Sequence, residues 1–159
     1  MNLWERELAP YEGALEGLSG PDRLALAIKA VEWSDTTMRD PIADPEARRW
    51  IDSALGAARE AVAAGAEHVT LSPDMVSDFQ GLDESVEEYG VGQFMTGFMA
   101  CADFDTLGVE TLSNVLYICY EFAAQREDPE PETIEEQEAN SRCREVIAFH
   151  KELIEQATA

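Results

Sequence analysis

Carboxylates apart, this chain has few side chains able to do chemistry. There are two histidines, His68 and His150, and three cysteines, Cys101, Cys119 and Cys143. His68 follows Glu67 in a segment read as a loop, and His150 falls late in a helical stretch, one turn beyond Val146 and seven residues after Cys143. A zinc or catalytic site on His150 with Cys143 or Glu145 needs further ligands that this spacing does not supply. Cys101 and Cys119 stand in apolar runs and no CxxC pair occurs, so the thiols read as small buried hydrophobes. The glycine-rich phosphate loops, the GxSxG elbow and the HExxH zinc helix are absent. Gly90, Gly92 and Gly97 follow no strand, and they read as sites of close helix packing. No Asp-x-Asp-x-Asp-Gly calcium loop is present. The residues therefore point to a protein that is not an enzyme, with no cofactor and no dedicated metal site.

The carboxylates are the exception. The chain carries 33 acidic and 11 basic residues, a net charge of −22, and only Lys29 and Lys151 are lysines. Residues 60–125 hold 12 acids and no Lys or Arg. A 66-residue stretch without a base cannot neutralise its acids locally, so it projects a negative field. Nucleic acids and anionic membranes need basic footprints and are poor partners for such a surface, whereas a basic protein is attracted. Within the stretch, Asp74, Asp78, Asp83, Glu84, Glu87 and Glu88 fall within 15 residues, next to Tyr89. The pairs Asp74/Asp78, Asp83/Glu87 and Glu84/Glu88 repeat at i, i+4, which places like charges on neighbouring turns and costs a few tenths of a kcal/mol each. A second run, Glu127 to Glu138, is partly explained by acids favouring the first turn of a helix. Charge runs are usually solvated surface, and high acid content with Arg over Lys is also what a salt-adapted or high-GC host produces.

The elements that must position these groups read as helices. Leu3, Trp4, Leu8, Tyr11, Leu15 and Leu18 give short helical periodicity around Pro10. Ser19-Gly20-Pro21-Asp22 is a helix start, and Leu24, Ile28, Val31 and Asp35 form a row that carries the helix to about Met38. Asp44 caps the next helix, which presents Trp50, Ile51, Ala54, Leu55, Ala58 and Val62 and stops at Gly65. Ser72-Pro73-Asp74 starts another, with Met75, Val76, Phe79, Leu82 and Val86 on one face; Gly81 predicts a break into two pieces. Gln93–Phe104 is nearly uncharged, with Phe94, Met95, Phe98, Met99 and Phe104, and reads as buried core. Val109–Gln125 follows, then an acidic, Pro-rich linker and a final helix from Glu132 to about Gln156. Residues His68–Leu71 are too short a strand signal to organise a sheet. The expectation is an all-α, single-domain bundle of six or seven helices spanning 1–159 with short connectors. With no apolar run of membrane-spanning length and no signal-peptide pattern at Met1–Glu7, the expected location is cytoplasmic.

In style the chain resembles the small acidic helical immunity proteins of bacterial polymorphic and contact-dependent toxin systems. The features that carry this are PDRLALAIKAVEWSDTTM (Pro21–Met38), the helix at Asp44–Ala64, LYICYEFAAQRE (Leu116–Glu127) and the Glu-rich final helix. The resemblance implies no catalytic residues and an acidic face that occludes a basic toxin cleft. The partner-binding residues expected here are Asp78, Asp83, Glu84, Glu87, Glu88 and Tyr89, which combine charge with an aromatic anchor. Two other readings stay open: a ligand-binding protein or enzyme using the Phe/Met interior with Glu121, Tyr117 and His150, and a regulatory homodimer joined through apolar helix faces.

Overall fold

Among the described residues, six side-chain caps start helices, and each is an Asn, Ser, Thr or Asp whose oxygen accepts the backbone N–H three residues on. Asn2 and Thr133 form capping boxes with Glu5 and Glu136, while Ser19, Asp44 and Ser72 each precede a proline in the first turn. The computed structural model describes residues 1–102 and 106–159, and among them there is no strand. The helices are α1 (Leu3–Leu8), α2 (Glu12–Glu16), α3 (Gly20–Thr36), α4 (Pro45–Ala63), α5 (Pro73–Ser85), α6 (Val91–Ala102), α7 (Val109–Gln125), α8 (Ile134–Ala139) and α9 (Ser141–Thr158). A 3-10 turn at Ala9–Tyr11, carrying Pro10, joins α1 to α2.

The bundle is all-helical, as the periodicity requires, but the described residues form more helices than the six or seven expected. The expected final helix is two. Asn140 adopts extended backbone (φ −85°, ψ 122°), and its side chain accepts from the Cys143 N–H at 2.9 Å, so it ends α8 and caps α9. The apolar spacing runs through both α8 and α9, so periodicity alone reads them as one helix. In α8 the polar Gln137 is buried while Ala139 is exposed. Gly81 does not split α5, which runs unbroken to Ser85. Phe104, expected in the core, lies outside the described residues.

At the centre is α7, packed against α3, α6, α9 and α2. Its Leu112, Val115, Leu116, Cys119 and Phe122 are buried. Phe94 of α6 stacks on Phe122 with centroids 4.4 Å apart, and Phe98 meets Phe94 and Trp50 edge to face. Each buried ring of this kind contributes about 2–3 kcal/mol through removal of apolar area from water. The periphery differs. No residue of α5 is fully buried; it leans on α4 and α6 through Met75, Phe79 and Leu82, and the Trp50 indole N–H holds its first turn by donating to the Met75 carbonyl at 2.9 Å. Asp35, placed on the apolar row of α3, is kept there by a two-pronged ion pair with Arg48 at 2.7 and 2.8 Å. No helix among the described residues is long and apolar enough to cross a membrane.

Candidate functional site

The thiols and the C-terminal histidine are structural. Cys101, Cys119 and Cys143 are buried, and burial pushes the first two thiols up to about 12, far from a reactive thiolate. His150 is fully buried, and its Nδ1 accepts from the Trp4 indole N–H at 3.0 Å, tying α9 to α1. No group of three or more His, Cys, Asp or Glu positioned to hold a metal ion occurs among the described residues. Phe94, Met95 and Phe98 are at most 1% exposed and pack on one another and on α7. Tyr117 and Glu121 face a surface groove, while His150 lies beneath Trp4, so the three polar groups expected around a Phe/Met pocket do not converge there.

The acidic cluster at 78–89 is not one face. Asp78 and Asp83 are five residues apart, about 140° around the helix at 3.6 residues per turn. Asp78 lines the groove between α4 and α5 with Glu46, Arg49 and Trp50. Asp83 turns the other way, toward the first turn of α6, where a Cβ on Gly92 would lie 3.2 Å from its Oδ1. Glu84 and Glu87 are exposed. Glu88 points inward. Its carboxylate takes the Arg126 guanidinium at 2.7 Å and the backbone N–H groups of Ala43 and Asp44 at 2.9 and 3.0 Å. Burial alone would raise the Glu88 carboxyl, but Arg126 and these two N–H groups outweigh it and hold it below the usual range. Arg126 also donates to the carbonyls of Asp40 and Pro41, so Glu88 clamps the 40–44 loop to the C-terminal end of α7. Of the six expected binding residues, Glu88 is committed to the fold.

Tyr89 is the exposed aromatic of the set, at 59%, and it points away from α5. Its hydroxyl donates to Glu130 at 3.4 Å, across the start of the linker that follows α7. Gly90, at φ +80°, makes this turn possible, and a side chain there would collide with Gln125.

Tyr89 thus stands at one end of a surface the sequence did not single out. The outward stripe of α7 is Glu110, Asn114, Tyr117 and Glu121, at i, i+4, i+7 and i+11. Two grooves meet on it at Tyr117. One, about 670 Å³, is lined by Glu5 of α1, Glu12 and Glu16 of α2, Glu110, and the rings of Trp4 and Tyr117. The other, about 280 Å³, has Glu121, Glu130 and Glu132 around Tyr117 and Tyr120. No Lys or Arg lines either groove. Arg23 donates to the Glu16 backbone carbonyl without joining the lining. Burial and the Glu121 carboxylate push the Tyr117 phenol up, so it stays a neutral donor; it accepts from the Asn2 side chain at 3.1 Å. Glu130 and Glu132 belong to the second acidic run, but Glu5, Glu12, Glu16, Glu110 and Glu121 lie outside both runs, so charge density did not mark them. The signal was the i, i+4, i+7, i+11 polar stripe on an otherwise apolar helix.

Basic residues gather elsewhere. Arg6 and Lys151 pair with Glu138 and Glu7 around a separate groove floored by Leu3, Ile147 and Ala148. Among the described residues the large hydrophobics that are exposed are Met1 and Tyr89. The chain matches no protein-family model, no curated protein and no solved structure.

Proposed function

We propose that this chain is an acidic binding protein that neutralises a basic protein partner by covering its functional cleft, as the immunity proteins it resembles do. The observation that carries the reading is the pair of base-free carboxylate grooves meeting on the open side of α7, within a molecule of net charge −22. Seven glutamates around a partly apolar floor suit a surface rich in Lys and Arg. They offer charge for steering and rings for contact. Asp78, Asp83, Glu84 and Glu87, spread around α5 and the turn after it, extend the same negative field. Occlusion asks for no catalytic group on this side of the interface, in keeping with a chain whose thiols and C-terminal imidazole are committed to packing. The partner is a basic protein, a toxin domain by the resemblance; nucleic acid and anionic membrane are disfavoured by sign of charge.

The test is capture of binding proteins from the native host at low salt, elution by rising salt, and assay of the eluted protein's activity with and without this chain. The reading requires one basic protein whose activity the chain suppresses stoichiometrically, with an association rate that falls as salt rises. A partner that is acidic, or one whose activity is untouched, would sink it.

A further inference from the structure

From Thr70 to Gly90 the chain runs for 21 residues without one buried side chain, between Val69 and Val91, which are 2% and 0% exposed. α5 lies inside this stretch. Each of α3, α4, α6, α7 and α9 buries six residues or more, and α5 buries none. The stretch rests on the core through the half-buried Leu71, Met75, Phe79, Leu82 and Val86. Among the described residues, the hydrogen bond that joins residues 70–87 to the rest of the chain is the one from the Trp50 indole N–H to the Met75 carbonyl. Both ends, by contrast, are pinned. The Val69 N–H donates to the Cys101 carbonyl at 3.0 Å, and Glu88 grips Arg126 and the backbone of Ala43 and Asp44. A segment fixed at its ends and lightly seated between them belongs to the low-stability end of a structure.

α5 is also a poor helix once alone. It is 13 residues long, with Gly81 in its interior and like charges one turn apart at Asp74 and Asp78. A free helix of that length is marginal in water even in alanine-rich sequence, and both features weaken it further. Leaving the bundle and melting are therefore one event.

We propose that residues 70–87 form a flap that opens and melts as a unit while the rest of the bundle stays folded, and that its opening uncovers Trp50. In the closed state this indole is 5% exposed, lies 5.6 Å from the Phe79 ring between centroids, and lines a groove of about 600 Å³ with Arg49, Met75, Gly81 and Leu82. Opening takes Met75, Phe79 and Leu82 away and leaves the Trp50 ring on α4 beside the Arg49 side chain. Asp78, Asp83, Glu84 and Glu87 ride on the flap, so these acids hold one arrangement when it is closed and none when it is open.

Amide hydrogen exchange of the full chain, followed by NMR, tests this. The amides of residues 77–85 and the Trp50 indole N–H are expected to be protected at least about 100-fold less than the buried amides of α7, with one shared urea dependence. Ile154→Val, on α9 and away from the helices that α5 packs on, weakens the core; it is expected to speed α7 exchange about five-fold and leave α5 exchange unchanged. Gly81→Ala adds a methyl where nothing lies within 4 Å and favours the closed helix, so α5 exchange is expected to slow about five-fold. Protection of α5 equal to that of α7, parallel acceleration of both by Ile154→Val, or no response to Gly81→Ala each overturns the flap.

Discussion

His150 makes the stability of this protein fall as pH drops below neutrality, by an amount the structure allows to be worked out. The imidazole is fully buried, its Nδ1 is committed to accepting from Trp4, and its Nε2 has no hydrogen-bond partner among the described residues. Protonation would set an N–H against the Trp4 N–H inside the core, and burial pushes the imidazole down to about 3 from its usual 6.5. The folded value is depressed, so between about 3 and 6.5 the unfolded chain binds a proton that the folded chain does not. Stability from this group is then complete above about pH 6.5 and is lost as pH falls through that window. At pH 5 the unfolded imidazole is almost fully charged, and the linkage costs about 2 kcal/mol relative to pH 7.5. For a chain of this length that corresponds to about 4–8 °C in Tm. The assay is urea unfolding followed by tryptophan fluorescence at the two pH values, in the natural chain and in His150→Gln, which keeps an acceptor for Trp4 but cannot titrate. Carboxylate effects are common to both proteins and cancel. The reasoning is refuted if both lose the same stability, or if the His150 ring resonances in the folded natural chain titrate above pH 6. The resonance measurement decides the matter even if the variant fails to fold.

Three further outcomes follow from the same structure. Glu88→Gln removes the charge that holds Arg126 and two backbone N–H groups and should cost about 2–3 kcal/mol in urea unfolding. The neighbouring Glu87→Gln, an exposed acid, should change stability by less than about 0.5 kcal/mol. Raising salt from 10 to 500 mM should raise Tm, because a molecule with 33 acids and 11 bases repels itself and screening relieves that; an unchanged or falling Tm in differential scanning calorimetry would contradict it. A thiol reagent at neutral pH should modify none of Cys101, Cys119 and Cys143 in the native protein and all three in urea, since each is buried with a raised thiol; rapid native labelling at any of them would show that the core opens.

By itself the sequence determined the helical class, most of the helix boundaries and the burial of the cysteines, because these depend on interactions within a few residues. A Ser or Asp that caps an N-terminus, a proline in the first turn and an apolar row at helical spacing act locally, and α3, α4 and α5 start where those signals stand. The local record failed at Asn140, where one apolar rhythm runs through two helices and a single capping side chain redirects the backbone. Only the tertiary structure decided which carboxylates share a surface. Glu87 and Glu88 are adjacent and chemically identical, yet one faces water and the other grips Arg126, a choice set by a residue 38 positions away. Glu12, Glu16 and Glu110 are each unremarked in sequence and become one groove because α2 is packed against α7. Density of charge along the chain measures local composition. Density of charge on the surface is set by which distant helices the hydrophobic core brings together, and by which acids the fold neutralises from within.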